Sequence, residues 1–164
     1  MSIPAMHKEH SQKSASVFIV TCSTSKAEQK TRRLTVDDPS GDEIEKLMRE
    51  AGHRVTGRAL IPDRIGLLRA TIRNALKSEA EAVIITGGTG IAPSDVTVEG
   101  VAPLLEKEIP GFGELFRKIS YDTIGSAAMM SRAIAGVVKG KAIFCLPGSP
   151  DGVKTAVREL ILPE

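Results

Sequence analysis
Ala82-Val83-Ile84-Ile85-Thr86-Gly87-Gly88-Thr89-Gly90-Ile91-Ala92-Pro93-Ser94-Asp95-Val96-Thr97-Val98-Glu99 is the stretch that decides the fold. Residues 82 to 85 form an unbroken apolar run, the pattern of a strand buried on both faces in a parallel sheet. The run ends in a glycine-rich turn, where backbone N–H groups can face an anion with no Cβ in the way. The polar residues 94 to 99 can open a helix, whose N-terminus adds its positive dipole end. The turn has neither the Lys-Ser/Thr of a P-loop nor the spacing of the dinucleotide-binding GxGxxG. It reads as a tight connection or as a phosphate cradle, and the acid Asp95 beyond it favours the cradle. Asp95 itself is read two ways: it orients a metal or a substrate hydroxyl, or it caps the next helix.

Upstream, Ser16 to Ser23 is a strand that ends in the small hydroxyls Ser23-Thr24-Ser25. In open α/β sheets the carboxyl end of the strands carries the ligand. Residues 26 to 36 are charged and lack apolar periodicity, which predicts a mobile loop. Asp37-Asp38-Pro39-Ser40-Gly41-Asp42 supplies a turn and a cap for a helix over 42–51, stopped by Gly52. A second strand covers 53–61 and closes at Pro62-Asp63. A helix follows over 64–77, with Ile65, Leu68, Ile72 and Leu76 at helical spacing. Asp63 occupies the same kind of strand-to-helix corner as Asp95. If the first three strands are neighbours, both acids converge on one edge, where a divalent ion and phosphates could meet.

Downstream, a short helix is expected over 98–106, and Ile109-Pro110-Gly111-Phe112-Gly113 breaks the chain. Further helical segments are expected over 114–120 and, built from small residues, 127–133. Residues 137–146 read as strand, Lys139-Gly140 turn and strand. Pro147-Gly148-Ser149-Pro150 is a sharp corner, read as a second lip of a pocket or as a plain turn, before a last helix over 151–160. The alternation predicts an α/β protein, a three-layer α/β/α sandwich with a mostly parallel central sheet and one antiparallel edge strand. Residues 1–15 read as a flexible tail and 16–164 as one domain, with no internal repeat.

Composition narrows the function. The 164 residues carry a net charge of +2 and only 3% aromatic residues, with no Trp and one Tyr. Charge implies neither nucleic acid nor a membrane, and base-stacking platforms are absent from such a composition. No apolar run approaches the ~20 residues of a membrane span, and no secretory signal is read, so a cytoplasmic protein is expected. Cys22 and Cys145 fall in expected strands and read as small core residues. His7 and His10, in the tail, read as solvated.

These pieces together resemble the MoaB/MogA family of molybdenum cofactor biosynthesis proteins. The carrying residues are Asp38-Pro39-Ser40-Gly41, Ile61-Pro62-Asp63, Thr86 to Gly90 with Asp95-Val96-Thr97 and Glu99, residues 108 to 114, Ser131-Arg132 with Ala135-Gly136, and Leu146 to Pro150. The tail and the Asp-Pro-Ser-Gly-Asp form lean toward the MoaB branch. The resemblance implies a molybdopterin-binding domain with adenylyltransferase activity. The terminal phosphate of molybdopterin would attack the α-phosphate of ATP, with Mg²⁺, and release pyrophosphate. Asp63 and Asp95 match the family's two functional acids, as catalytic residues and as Mg²⁺ ligands. The substrate- and nucleotide-binding set is Ser23, Thr86, Gly87, Gly88, Thr89, Gly90, Thr97, Pro147, Gly148 and Ser149. A homo-trimer or homo-hexamer and hand-over to a metal-inserting protein are also implied. The other reading is a non-catalytic molybdopterin-binding or delivery protein of the same fold. The chain departs from the family pattern at Ser94, where a basic residue often stands, and at Arg64, where an acid is common. Positive charge for the phosphates is therefore expected from elsewhere, with Arg64 as the candidate.

Overall fold
The computed structural model describes residues 14–32 and 35–164. His7, His10 and the tail, apart from Ser14 and Ala15, lie outside the described residues. The chain runs through β1 (Ser16–Cys22), α1 (Thr24–Thr31), α2 (Pro39–Glu50), β2 (Arg54–Ile61), α3 (Ile65–Lys77) and β3 (Ala82–Thr86). It continues with α4 (Thr97–Val101) and a 3-10 turn, then β4 (Lys107–Glu108), α5 (Pro110–Ile124) and a second 3-10 segment, Gly125–Met130. β5 (Ile134–Val138), β6 (Lys141–Leu146) and α6 (Pro150–Ala156) follow, and the last helix widens into a π-type turn, Val157–Ile161.

The six strands form one sheet in the order β2-β1-β3-β6-β5-β4. The first four in that order are parallel, and β5 runs antiparallel to β6. The antiparallel strand therefore lies at the end of the sheet where the sequence places it, and the two-residue β4 pairs with its outer side. The central strands are apolar at successive positions because both sheet faces are covered. Val17, Ile19 and Ile84 face Ile44, Leu47 and Met48 of α2, Phe112 and Phe116 of α5, and Val153 of α6. Val20, Val83 and Ile85 face Leu68, Ile72 and Ala75 of α3, together with Val101 of α4. This is the three-layer sandwich the sequence predicts.

The helix expected over 98–106 is α4 and a 3-10 turn that ends at Leu104, the strand β4 after it is not expected from the sequence, and four further segments differ from their sequence reading. Residues 24–31 form α1, where a loop is expected. None of its side chains is buried, so it carries no apolar stripe to read. α2 starts at Pro39, because Asp38 accepts from the Gly41 N–H at 3.3 Å and proline suits the first helical turn. The Pro110–Gly113 segment opens α5 instead of breaking the chain, and α5 runs on to Gly125 at φ +62°. Residues 127–133 are a 3-10 segment as far as Met130 and extended beyond it.

Candidate functional site
Strand order creates the site. β1 lies between β2 and β3, so the connections leaving β1 and β2 diverge to opposite sides of it. A crevice opens at the carboxyl ends of the strands at such a reversal. Thr21, Thr86 and Leu146 are in register across β1, β3 and β6, and Cys22 is in register with Ile61 of β2. The segments after these four strands therefore share one edge. They carry Ser23, Asp63, Gly87 and Pro147.

A cavity of about 260 Å³ lies there. Of the expected site residues, Ser23, Asp63, Thr86, Gly87, Gly88, Asp95 and Gly148 line it, joined by Thr21, Cys22, Lys26 and Ser40. The glycine turn has the conformation its residues allow: Gly87 has φ +91° and Gly88 φ +65°. A Cβ on Gly87 would lie 2.2 Å from the Cys22 carbonyl oxygen, so the turn passes directly over the end of β1. The Gly87 N–H donates to the Leu146 carbonyl at 3.2 Å. Among the described residues, the N–H groups of Gly88, Thr89 and Gly90 have no acceptor. They are the donors a phosphate needs.

The remaining expected residues lie outside the cavity lining, where Thr97 and Thr89 hold the turn and Ser149 caps α6 by accepting from the Gly152 N–H. The fully buried Thr97 donates its hydroxyl to the Gly87 carbonyl at 2.7 Å, and its N–H to the Gly88 carbonyl at 2.9 Å. Thr89 is buried and directs its hydroxyl to the Leu146 carbonyl. The Gly90 carbonyl accepts from Arg132 Nε at 2.9 Å. The Pro147 carbonyl accepts from Thr86 at 2.6 Å. Pro147 and Ser149 line a wider neighbouring cavity of about 620 Å³ with Phe116, Ile124 and Ser131. Ser131 Oγ is buried and has no hydrogen-bond partner among the described residues.

Neither acid caps the helix that follows it. α3 is capped at Arg64 and α4 at Val96, both without a side-chain bond. Asp63 Oδ2 accepts from the Thr24 N–H and hydroxyl, both at 2.8 Å, and so anchors the N-terminus of α1 across the crevice. The Asp95 carboxylate accepts from the Ala92 N–H at 2.9 Å and stands against Gly90. Both therefore open onto the cavity while being held in place. Among the described residues no group of three or more acidic, His or Cys side chains is placed to hold a metal ion. Mg²⁺ characteristically uses one or two carboxylates and completes its shell with water and substrate phosphates, so the Asp63–Asp95 pair fits an ion that arrives with its nucleotide. Cys22 supplies no nucleophile: burial pushes its thiol up to about 12, so it stays protonated near neutrality.

The cations are distributed differently from expectation. Lys26, and not Arg64, is the Lys or Arg side chain among the described residues lining this cavity. Arg132, for which the sequence offers no local role signal, ties the turn together. Its side chain also contacts the Asp95 carbonyl and forms an ion pair with Glu99, holding the Glu99 carboxyl below its ordinary range. Its N–H donates to the Thr89 carbonyl at 3.3 Å.

Fold and site define an α/β protein with a cavity under a glycine turn at a topological switch point. The family model described as the probable molybdopterin binding domain matches residues 18–164. The chain is 43% identical to molybdenum cofactor biosynthesis protein B of Bacillus cereus over 160 residues, covering 96% of this chain and 90% of that one. It is 44% identical to the Bacillus subtilis protein of the same name over 140 residues, covering 80% and 82% respectively. A crystal structure of a molybdenum cofactor biosynthesis protein B matches with a TM-score of 0.85 at 41% identity, covering 94% of this chain and 93% of that one. The tungsten cofactor synthesizing protein MoaB from Pyrococcus furiosus matches at 0.81 with 32% identity, covering 92% of each chain. This chain belongs to the MoaB/MogA family of molybdenum cofactor biosynthesis proteins, on its MoaB branch.

Proposed function
We propose that this chain acts in molybdenum cofactor biosynthesis as a molybdopterin adenylyltransferase. The observation that carries the reading is the convergence of Asp63 and Asp95 on the cavity formed by Gly87 and Gly88. ATP and molybdopterin both present phosphates, and the free N–H groups of the turn suit them. Mg²⁺, bound with ATP, supplies charge neutralisation at the reacting phosphates, and Asp63 and Asp95 are the residues that would hold it. The chain's own contribution is placement. The glycine turn fixes one phosphate, the acids orient the second reactant, and the wider cavity with its unpaired Ser131 hydroxyl offers room for a heterocycle. The molybdopterin phosphate oxygen forms a bond to the α-phosphorus of ATP, and the bond to pyrophosphate breaks. Positioning and electrostatics suffice for such a transfer, without a covalent protein intermediate.

The test is turnover with molybdopterin, ATP and Mg²⁺, following pyrophosphate and adenylylated pterin. Wild type is expected to form product, and Asp63→Ala and Asp95→Ala to form none. Bound molybdopterin without product overturns the enzyme and leaves a binding or delivery module, which would pass molybdopterin to a metal-inserting protein. We further propose a homo-oligomer, supported by Tyr121, Ile124 and Met129, which are 62%, 59% and 74% exposed on one short stretch of chain; a trimer or a hexamer is what the family resemblance implies. Among the described residues no helix is long and apolar enough to cross a membrane.

A further inference from the structure
The cavity lining has two acids and one cation, and the cation is placed unusually. Lys26 occupies the first turn of α1, where a positive side chain opposes the helix dipole. In the structure its ammonium meets Asp38 Oδ1 at 3.3 Å. That carboxylate is already well supplied. Asp38 Oδ2 accepts from the Thr21 hydroxyl at 2.7 Å and from Arg58 Nη2 at 3.1 Å, and Oδ1 accepts from the Gly41 N–H at 3.3 Å. Arg58 lies on β2 and is shared between Asp38, Asp42 and Glu45, so Asp38 keeps an ion-pair partner and its bonds to Thr21 and Gly41 when Lys26 leaves. The Lys26 side chain retains 26% exposure on a flexible four-carbon stem, and both Lys26 and the glycine turn line the same cavity.

We propose that Lys26 is the phosphate-binding cation of this site, its ammonium moving from Asp38 to a phosphate oxygen of the ligand seated on the Gly88–Gly90 turn. The inference rests on the phosphate reading of the cavity given above. An anion at this point turns the unfavourable first-turn cation into a favourable one, since the N-terminus of α1 and the ammonium then act on the same charge. It also supplies the positive charge that Ser94 and Arg64 do not bring to the cavity.

The test is calorimetric titration of the full chain with inorganic pyrophosphate and with Mg·ATP. Wild type is compared with Lys26→Gln, Lys26→Arg and, as a distant control, Lys77→Gln. Lys26→Gln is expected to weaken pyrophosphate binding about tenfold or more, the scale of one hydrogen bond to a charged group. Lys26→Arg is expected to restore most of it, and Lys77→Gln to leave it unchanged. Ligand-free Lys26→Gln is expected to melt only slightly below wild type, because Asp38 keeps Thr21, Gly41 and Arg58. Wild-type affinity in Lys26→Gln overturns the proposal and leaves the phosphate reading standing. A ligand-free melting loss in Lys26→Gln that Lys26→Arg repairs, with ligand affinity unchanged in both, also overturns it, in favour of a structural ion pair. Wild type that binds neither ligand overturns the phosphate reading and this proposal together.

Discussion

Asp63 serves two parts of the molecule at once. Its Oδ2 anchors α1 through Thr24, and its carboxylate borders the cavity. Asp63→Asn should therefore lose turnover and also about 1 kcal/mol of stability, read by urea unfolding, because a capping acceptor is weakened. Asp95→Asn should lose turnover with a smaller stability change. Gly87→Ala puts a Cβ into the Cys22 carbonyl at φ +91°, and a loss of ~2 kcal/mol or more is expected in the same assay. Asp38 gives a pH prediction. Burial raises its carboxyl, but the Thr21 hydroxyl, the Gly41 N–H and Lys26 outweigh that and hold it below the ordinary value. Its folded value lies below its unfolded one, so its contribution is complete above the ordinary carboxylate value and is lost as pH falls through the folded one. Asp38→Asn should cost ~1–3 kcal/mol at neutral pH and flatten the acid limb of the stability curve. An unchanged acid limb would remove Asp38 from that role. That Asp63 and Asp95 border one cavity was legible because an acid in a strand-to-helix connection is a local pattern. What each carboxylate touches was not, since Thr24 lies 39 positions from Asp63.

At the scale of elements, legibility follows the source of each element's stability. β3 and α3 announce themselves because their apolar residues repeat at the spacing that burial demands. α1 buries nothing and stands on an acid from another segment, so propensity alone cannot reveal it. Arg132 belongs to the same class. Its acceptors, Gly90 and Asp95, lie in a loop some forty positions earlier in the chain. The sequence marks Ser131-Arg132 as a motif without saying what it holds. Arg132 clamps the turn at several points, so Arg132→Ala should release that turn while leaving β3 intact. Hydrogen exchange should quicken at residues 88–95 and stay slow at 83–86, with a global cost near 1 kcal/mol. Uniform loss of protection across β3 would show instead that Arg132 supports the sheet.

For the whole molecule, strand order decides where the candidate site lies, and surface chemistry bears on the proposed assembly. The alternation of strands and helices foretold the sandwich and its single antiparallel member, because each element's burial pattern is a local property. The reversal between β2 and β3 depends on which crossover passes which strand, a tertiary outcome that the glycine turn only marks. The end of α5 and the 3-10 segment after it present Tyr121, Ile124 and Met129 to solvent, with Met130 42% exposed beside them. Globular chains seldom leave so many large apolar side chains uncovered within ten residues, and under the proposed self-association a second copy of the same chain would cover them. Ile124 also borders the wider cavity beside Ser149, so the exposed apolar stretch and that cavity share an edge. Light scattering after size exclusion should give a mass that is a threefold or sixfold multiple of the 17.5 kDa chain. Ile124→Glu and Met129→Glu together should shift it toward the single chain, because a buried unpaired carboxylate outweighs the apolar gain at the contact. If the wild type elutes as one chain at micromolar concentration, the exposed stretch serves another partner. If the double variant keeps the wild-type mass, the subunits meet elsewhere.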